Sequence, residues 1–167
     1  MKYNKAQAWG MDIIIAIIIF SIGILIFFIY SANHSLESKE KLDLLSSDGN
    51  FIMKNILSEG YPSNWNQTNV IKIGIINNNK IDEEKLEKFY NLCQTDYNKT
   101  KLLFNTKYDY LFYFQNMEIN SNKIEGIGKP GINISLISDK ATDLIKITRL
   151  TIYKDKPITV YLYIWEE

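Results

Sequence analysis

Apolar residues fall along this chain in three regimes. The first is unbroken: Ile13 to Tyr30 reads IIIAIIIFSIGILIFFIY and carries no charge. As a helix rising about 1.5 Å per residue it reaches roughly 27 Å, close to the hydrocarbon thickness of a bilayer. The second is periodic. Leu42, Leu45, Gly49, Ile52 and Ile56 recur at spacings of three and four, which predicts a helix from about Ser35 to Ser58 with one apolar stripe. Within it, Ser46-Ser47-Asp48-Gly49 has the composition of a break that ends one helix and caps the next. The stripe needs a cover, either the sheet that follows or a neighbouring subunit.

The third regime, beyond Gly60, is a series of short elements. Gly60 and Pro62 stop the helix, since Gly suits the left-handed position after it and Pro cannot continue it. GYPSNWN, Gly60 to Asn66, is expected to form a fixed loop held by Tyr61 and Trp65. Val70 to Ile76 reads as a short strand ended by Asn77-Asn78-Asn79. Asp82 is the expected N-cap of the next helix, with Glu83 and Glu84 in its first turn. Ile81 and Leu86 take the two positions of a hydrophobic staple, and Leu86, Phe89, Leu92 and Cys93 form the buried face. A further helical turn covers Asn98 to Phe104. The rest reads as strands: the aromatic run Tyr108 to Phe114, Ile132 to Ile137 after a Gly/Pro loop, then Leu144 to Tyr153 and Ile158 to Trp165 around the hairpin Lys154-Asp155-Lys156-Pro157. In the last strand Val160, Leu162 and Ile164 face one way, and Tyr161, Tyr163 and Trp165 the other.

The predicted fold class is therefore α+β: a long N-terminal apolar helix, then a small, mainly antiparallel sheet with one or two short helices. The predicted organisation is a leader at 1–6, a transmembrane helix at 7–32, a helical stalk at 33–59 and a head at 60–167. With the first 32 residues set aside, about 135 remain, enough for one core but not two. Lys+Arg and Asp+Glu each total 19, so the net charge is zero, which argues against nucleic acid as a partner. Cys93 is the only cysteine; no intramolecular disulfide is possible, and the thiol is expected to be buried. His34 is the only histidine and follows the apolar run, so neither a catalytic triad nor a usual transition-metal site is expected.

The charges at the ends of the apolar run set its expected direction. Lys2 and Lys5 precede it without an acid, whereas Ser35 to Asp43 mixes both signs. The positive-inside bias places the N-terminus in the cytoplasm and the head outside, as a single-pass membrane protein with lipid as a partner. Trp9 and Tyr30 bracket the run as interfacial anchors. Ser31-Ala32-Asn33 makes a poor secretory cleavage site. Asp12, an acid at the start of the run, either stays hydrated among the headgroups or pairs with a cation supplied by another subunit.

Several signals look chemical. Gly126-Ile127-Gly128-Lys129-Pro130-Gly131 matches a dinucleotide fingerprint in letters, but Pro130 and a β-rich continuation deny it the helix that would meet a phosphate. Asn33, Asn66, Asn98 and Asn133 begin glycosylation sequons; Asn33 lies close to the membrane, which leaves Asn66, Asn98 and Asn133 as candidate acceptors. Asp82, Glu83, Glu84 and Glu87 read as a solvated helix face interleaved with Lys85 and Lys88. No catalytic residue, metal ligand or cofactor site is assigned, and the chain is not expected to be an enzyme.

The leader, Lys5-Ala6-Gln7, Asp12 and the apolar helix resemble archaeal type IV pilin-like proteins with class III signal peptides. GYPSNW, NVIKIGI, KIDEEKLEKFYNL, the YDYLFYF run and a closing hairpin ending in Trp are similar to the heads of archaeal pilin-like membrane proteins. The resemblance implies a prepilin-type peptidase as partner, a cut between Ala6 and Gln7, and an apolar helix that stays in the membrane or packs into a filament core. Bacterial-type pilins carry an acid at the position held here by Met11; in this chain it comes one residue later, at Asp12. The implied function is structural: a pilin-like subunit or minor pilin of a surface filament, associating with its own copies or with other pilin-like subunits. A non-polymerising, membrane-anchored binding or assembly module is the alternative.

Overall fold

The computed structural model describes residues 4–166; the side chains of residues 4–9, 32–38 and 138–140 lie outside the description. The chain forms two compact units, Met1–Lys41 and Leu42–Glu167. Helix α1 spans Asn4–Ile56. In the first unit, Gly10–Ser31 is a 22-residue helical segment of mean hydropathy 3.1 with none of its surface buried. It is long and apolar enough to cross a membrane, and as a helix it satisfies its own backbone hydrogen bonds, as lipid demands.

In the second unit α1 ends over a sheet. Leu45, Ile52, Met53 and Ile56 are fully buried there. The Ser46-Ser47-Asp48-Gly49 stretch is helical throughout, and Gly49 is a contact point instead of a break: a Cβ on it would stand 2.5 Å from Ile147 Cδ1 and 2.9 Å from Ile164 Cγ2. Leu42, at the top of the predicted stripe, is exposed.

The elements after α1 are β1 (Ile76–Asn77), β2 (Lys80–Ile81), α2 (Glu83–Thr95), α3 (Tyr97–Leu103) and β3 (Asp109–Phe114). There follow β4 (Glu118–Ile119), β5 (Asn122–Lys123), β6 (Ile127–Gly128), α4 (Ile134–Lys140), β7 (Asp143–Tyr153) and β8 (Lys156–Glu166). The main sheet is antiparallel in the order β6-β3-β8-β7. The architecture is α+β, with three short helices among the described residues where one or two were expected. Tyr110, Phe112, Phe114, Val160, Leu162, Ile164 and Ile147 are buried on the sheet face that joins the main core with α1 and α2. Trp165 and Leu111, on the opposite face, are buried with Ile137 of α4.

Two predicted strands are corrected. Val70 to Ile76 is mostly irregular, because its backbone serves the end of α1: Ile75 N–H donates to Ile56 O at 2.8 Å and Ile76 N–H to Ser58 O at 2.9 Å. Those carbonyls have no partner inside the helix. Only Ile76–Asn77 pairs as a strand, with Lys80–Ile81 across the left-handed residues Asn78 and Asn79. The second is Ile132 to Ile137, which contains the start of α4. Asn133 caps it, its side chain accepting from Leu136 N–H, and a satisfied N-cap outweighs the β propensity of three isoleucines. Asn133, read as a strand residue, is thus a helix cap.

Local signals in α2 and its neighbours match the structure. Asp82 Oδ1 accepts from Lys85 N–H at 3.0 Å, Ile81 and Leu86 are both buried, and Leu86, Phe89, Leu92 and Cys93 form the inner face. Trp65 is fully buried and donates from Nε1 to Gly74 O at 2.8 Å. Lys85, read as part of a solvated face, is buried instead: its ammonium donates to Glu59 O (2.9 Å) and Ile76 O (3.0 Å), clasping the segment after α1 to β1.

Candidate functional site

Asp12 lies near the start of the Gly10–Ser31 segment, with an exposed side chain and no ion-pair or hydrogen-bond partner among the described residues. An ionised carboxylate placed in hydrocarbon is costly unless it reaches water or a cation. The Ala6 and Gln7 side chains, like those of Trp9, Asn33 and His34, lie outside the described residues. Tyr30, at the other end of the segment, is exposed.

The three sequons differ in setting. Asn66 and Thr68 sit in an exposed loop, where Asn66 Oδ1 accepts from Thr68 N–H (2.9 Å), Thr68 Oγ1 (2.7 Å) and Asn69 N–H (3.1 Å). Asn98 is exposed on α3, but its sequon partner Thr100 is fully buried. Asn133 Oδ1 is engaged by Leu136 N–H (3.0 Å) and Ser135 Oγ (2.8 Å), while its amide nitrogen makes no hydrogen bond among the described residues.

The glycines of Gly126-Ile127-Gly128 serve backbone packing. Gly128 has φ +157° and pairs with Leu111 across the β6–β3 ladder; a Cβ there would collide with Tyr110 O. The acids at the start of α2 are engaged locally. Glu84 pairs with Lys88 (2.6 Å), Glu83 with Lys154 (3.1 Å), and Glu87 accepts from Asn120 Nδ2 (2.7 Å).

Beneath α3 runs a polar network that the sequence did not advertise. Asp109, at the start of β3, accepts from Lys129 Nζ (2.7 Å), Lys101 Nζ (3.0 Å) and Tyr97 Oη (3.1 Å). Tyr97 Oη in turn accepts from Tyr110 N–H at 3.0 Å. Burial by itself would raise the Asp109 carboxyl; the hydrogen bonds and charges of Lys129 and Lys101 overcome it and hold the group below the usual carboxylate range. Tyr110 Oη donates to Thr100 Oγ1 at 2.6 Å and lies 3.6 Å from Cys93 Sγ. Burial pushes the Cys93 thiol up to about 12. A neutral, enclosed thiol is a packing group and not a nucleophile.

A cavity of about 690 Å³ opens between the β4–β5 hairpin and the first turn of α4. Tyr113 and Met117 line it, with Gln115, Asn116, Glu125 and Asn133 around them. Sequence reading singled out only Asn133 of this set. Tyr113, Gln115, Asn116 and Met117 come from the end of β3 and the turn after it, and folding brings Glu125 and Asn133 to them from two later segments. No family model, curated protein or solved structure matches this chain.

Proposed function

We propose that this chain is a structural cell-surface protein, a pilin-like subunit or minor pilin of an archaeal type IV pilus-like filament. The observation that carries the reading is the Gly10–Ser31 segment, apolar and wholly exposed, joined in sequence to a folded α+β unit. In water such a surface has to be covered. Lipid covers it in the unassembled subunit, and copies of the same helix cover one another in a filament. The charges flanking the segment support a cytoplasmic N-terminus and an extracellular head.

A prepilin-type peptidase cuts between Ala6 and Gln7, and the freed terminal amine of Gln7 on one subunit meets Asp12 of another. In a low-dielectric core that pair relieves both charges. The head acts by display and contact; no reaction is assigned to it.

Mass spectrometry of the chain purified from its native membrane tests the reading. A mature N-terminus at Gln7, together with the chain in sheared surface filaments, is the expected result. A retained Met1 and a chain confined to the membrane overturn it in favour of a permanent, non-polymerising anchor.

A further inference from the structure

The 690 Å³ cavity of the head has the size of a small-ligand site, and its lining specifies a chemistry. Tyr113 presents an aromatic ring at the wall. That ring is held by its cross-strand neighbour Tyr161, at 6.3 Å between centroids and 17° between planes. Gln115, Asn116 and Glu125 make no hydrogen bond or ion pair among the described residues. The Asn133 amide oxygen is spent on the α4 cap, and its amide nitrogen makes no hydrogen bond among the described residues. Amide side chains offer donor and acceptor together. Glu125 and Lys123, both lining the cavity, cancel in charge.

These features select against other ligands. With no cationic excess, a phosphate or nucleotide finds no counter-charge. A lipid chain would strip water from four polar groups without replacing their hydrogen bonds. β4 and β5 are two residues each, too short to template an added peptide strand.

We propose that this cavity binds a neutral saccharide: Tyr113 stacks on the C–H face of a sugar ring, and Gln115, Asn116, Glu125 and Asn133 bond its hydroxyls. A second cavity, about 310 Å³, shares the Ile124–Glu125 wall and adds Gln94, so an oligosaccharide has room to continue. The proposal goes beyond the filament reading and holds whether or not copies of the chain assemble.

The test uses the full chain in nanodiscs of a neutral phospholipid, with maltohexaose, mannohexaose and chitohexaose as probes. Saturation-transfer NMR and calorimetry read the binding, and thermal melting checks the fold of each variant. At least one probe binds saturably. Tyr113→Ala weakens it by roughly tenfold or more, while Tyr113→Phe, which keeps the ring, retains it. Asn116 has φ +58°; Asn116→Gly suits that backbone, removes the amide without strain, and weakens binding severalfold. This second variant decides the matter if Tyr113→Ala fails to fold. Leu150→Ala, at an exposed position outside the cavity lining, leaves affinity unchanged. Failure of all three probes to bind overturns the proposal, as does unchanged affinity in a folded Tyr113→Ala or Asn116→Gly variant.

Discussion

Gly49 of α1 lies directly against Ile147 of β7: a methyl group on its Cα would stand 2.5 Å from Ile147 Cδ1. The helix approaches the sheet closely because this position has no side chain. Gly49→Ala sets a helix-propensity gain of about 1 kcal/mol against overlap with Ile147 and Ile164. Gly49→Val removes the ambiguity and is expected to destabilise the head by about 2 kcal/mol, through overpacking. Denaturant titration of the full chain in detergent measures it. A Val variant as stable as the parent means that the helix and sheet are further apart than described.

Asp109 carries a pH dependence of defined sign. Its folded carboxyl lies below the usual range, held there by Lys129 and Lys101 against burial. The stabilisation is complete above the ordinary carboxylate pKa and is lost as pH falls through the lower folded value. Asp109→Asn is expected to cost roughly 2 kcal/mol near neutral pH, since it removes the carboxylate that accepts from Lys129, Lys101 and Tyr97. It should also flatten the acid limb of the stability profile. Asp82, also lowered although burial opposes the shift, keeps part of that slope. An acid limb identical in parent and variant refutes the assignment.

Cys93 offers a probe of packing. It is fully buried, and its thiol is raised to about 12 by that burial. A disulfide-exchange reagent at mildly alkaline pH should label the native chain slower than the denatured chain by on the order of a thousandfold. Rapid labelling without loss of the far-ultraviolet dichroism signal contradicts the described core.

Asp12 tests assembly separately from folding. On the filament reading proposed above, Asp12→Ala is expected to leave the melting of the head unchanged while reducing incorporation into surface filaments by roughly tenfold, by removing the proposed partner of the terminal amine. Quantitative immunoblotting of sheared filaments against the membrane fraction reads the ratio. Parental incorporation removes Asp12 from the assembly mechanism.

The parts of this protein legible in its sequence are those whose cause is local. The apolar run from Ile13 to Tyr30 needs no partner to be recognised, because length and hydropathy alone make it able to cross a membrane. The start of α2 is equally local: the Asp82 cap and the Ile81–Leu86 staple lie within one turn of each other. The hairpin at Lys154-Asp155 and the alternation of Val160, Leu162 and Ile164 follow from the two-residue period of a strand.

Tertiary structure decided what local signals leave open. Gly49 has the composition of a helix break, yet its role is set by Ile147, distant in sequence. The 70–76 segment has strand residues, but the carbonyls ending α1 claim its N–H groups. Lys85 looks solvated until Glu59 O and Ile76 O close around its ammonium. Asp109, Lys101 and Lys129 become one cluster, and Tyr113, Gln115, Asn116, Glu125 and Asn133 one cavity, only when the chain folds. Propensity and periodicity act over a few residues; burial, close approach and charge pairing act through space, between segments whose order along the chain does not record their nearness.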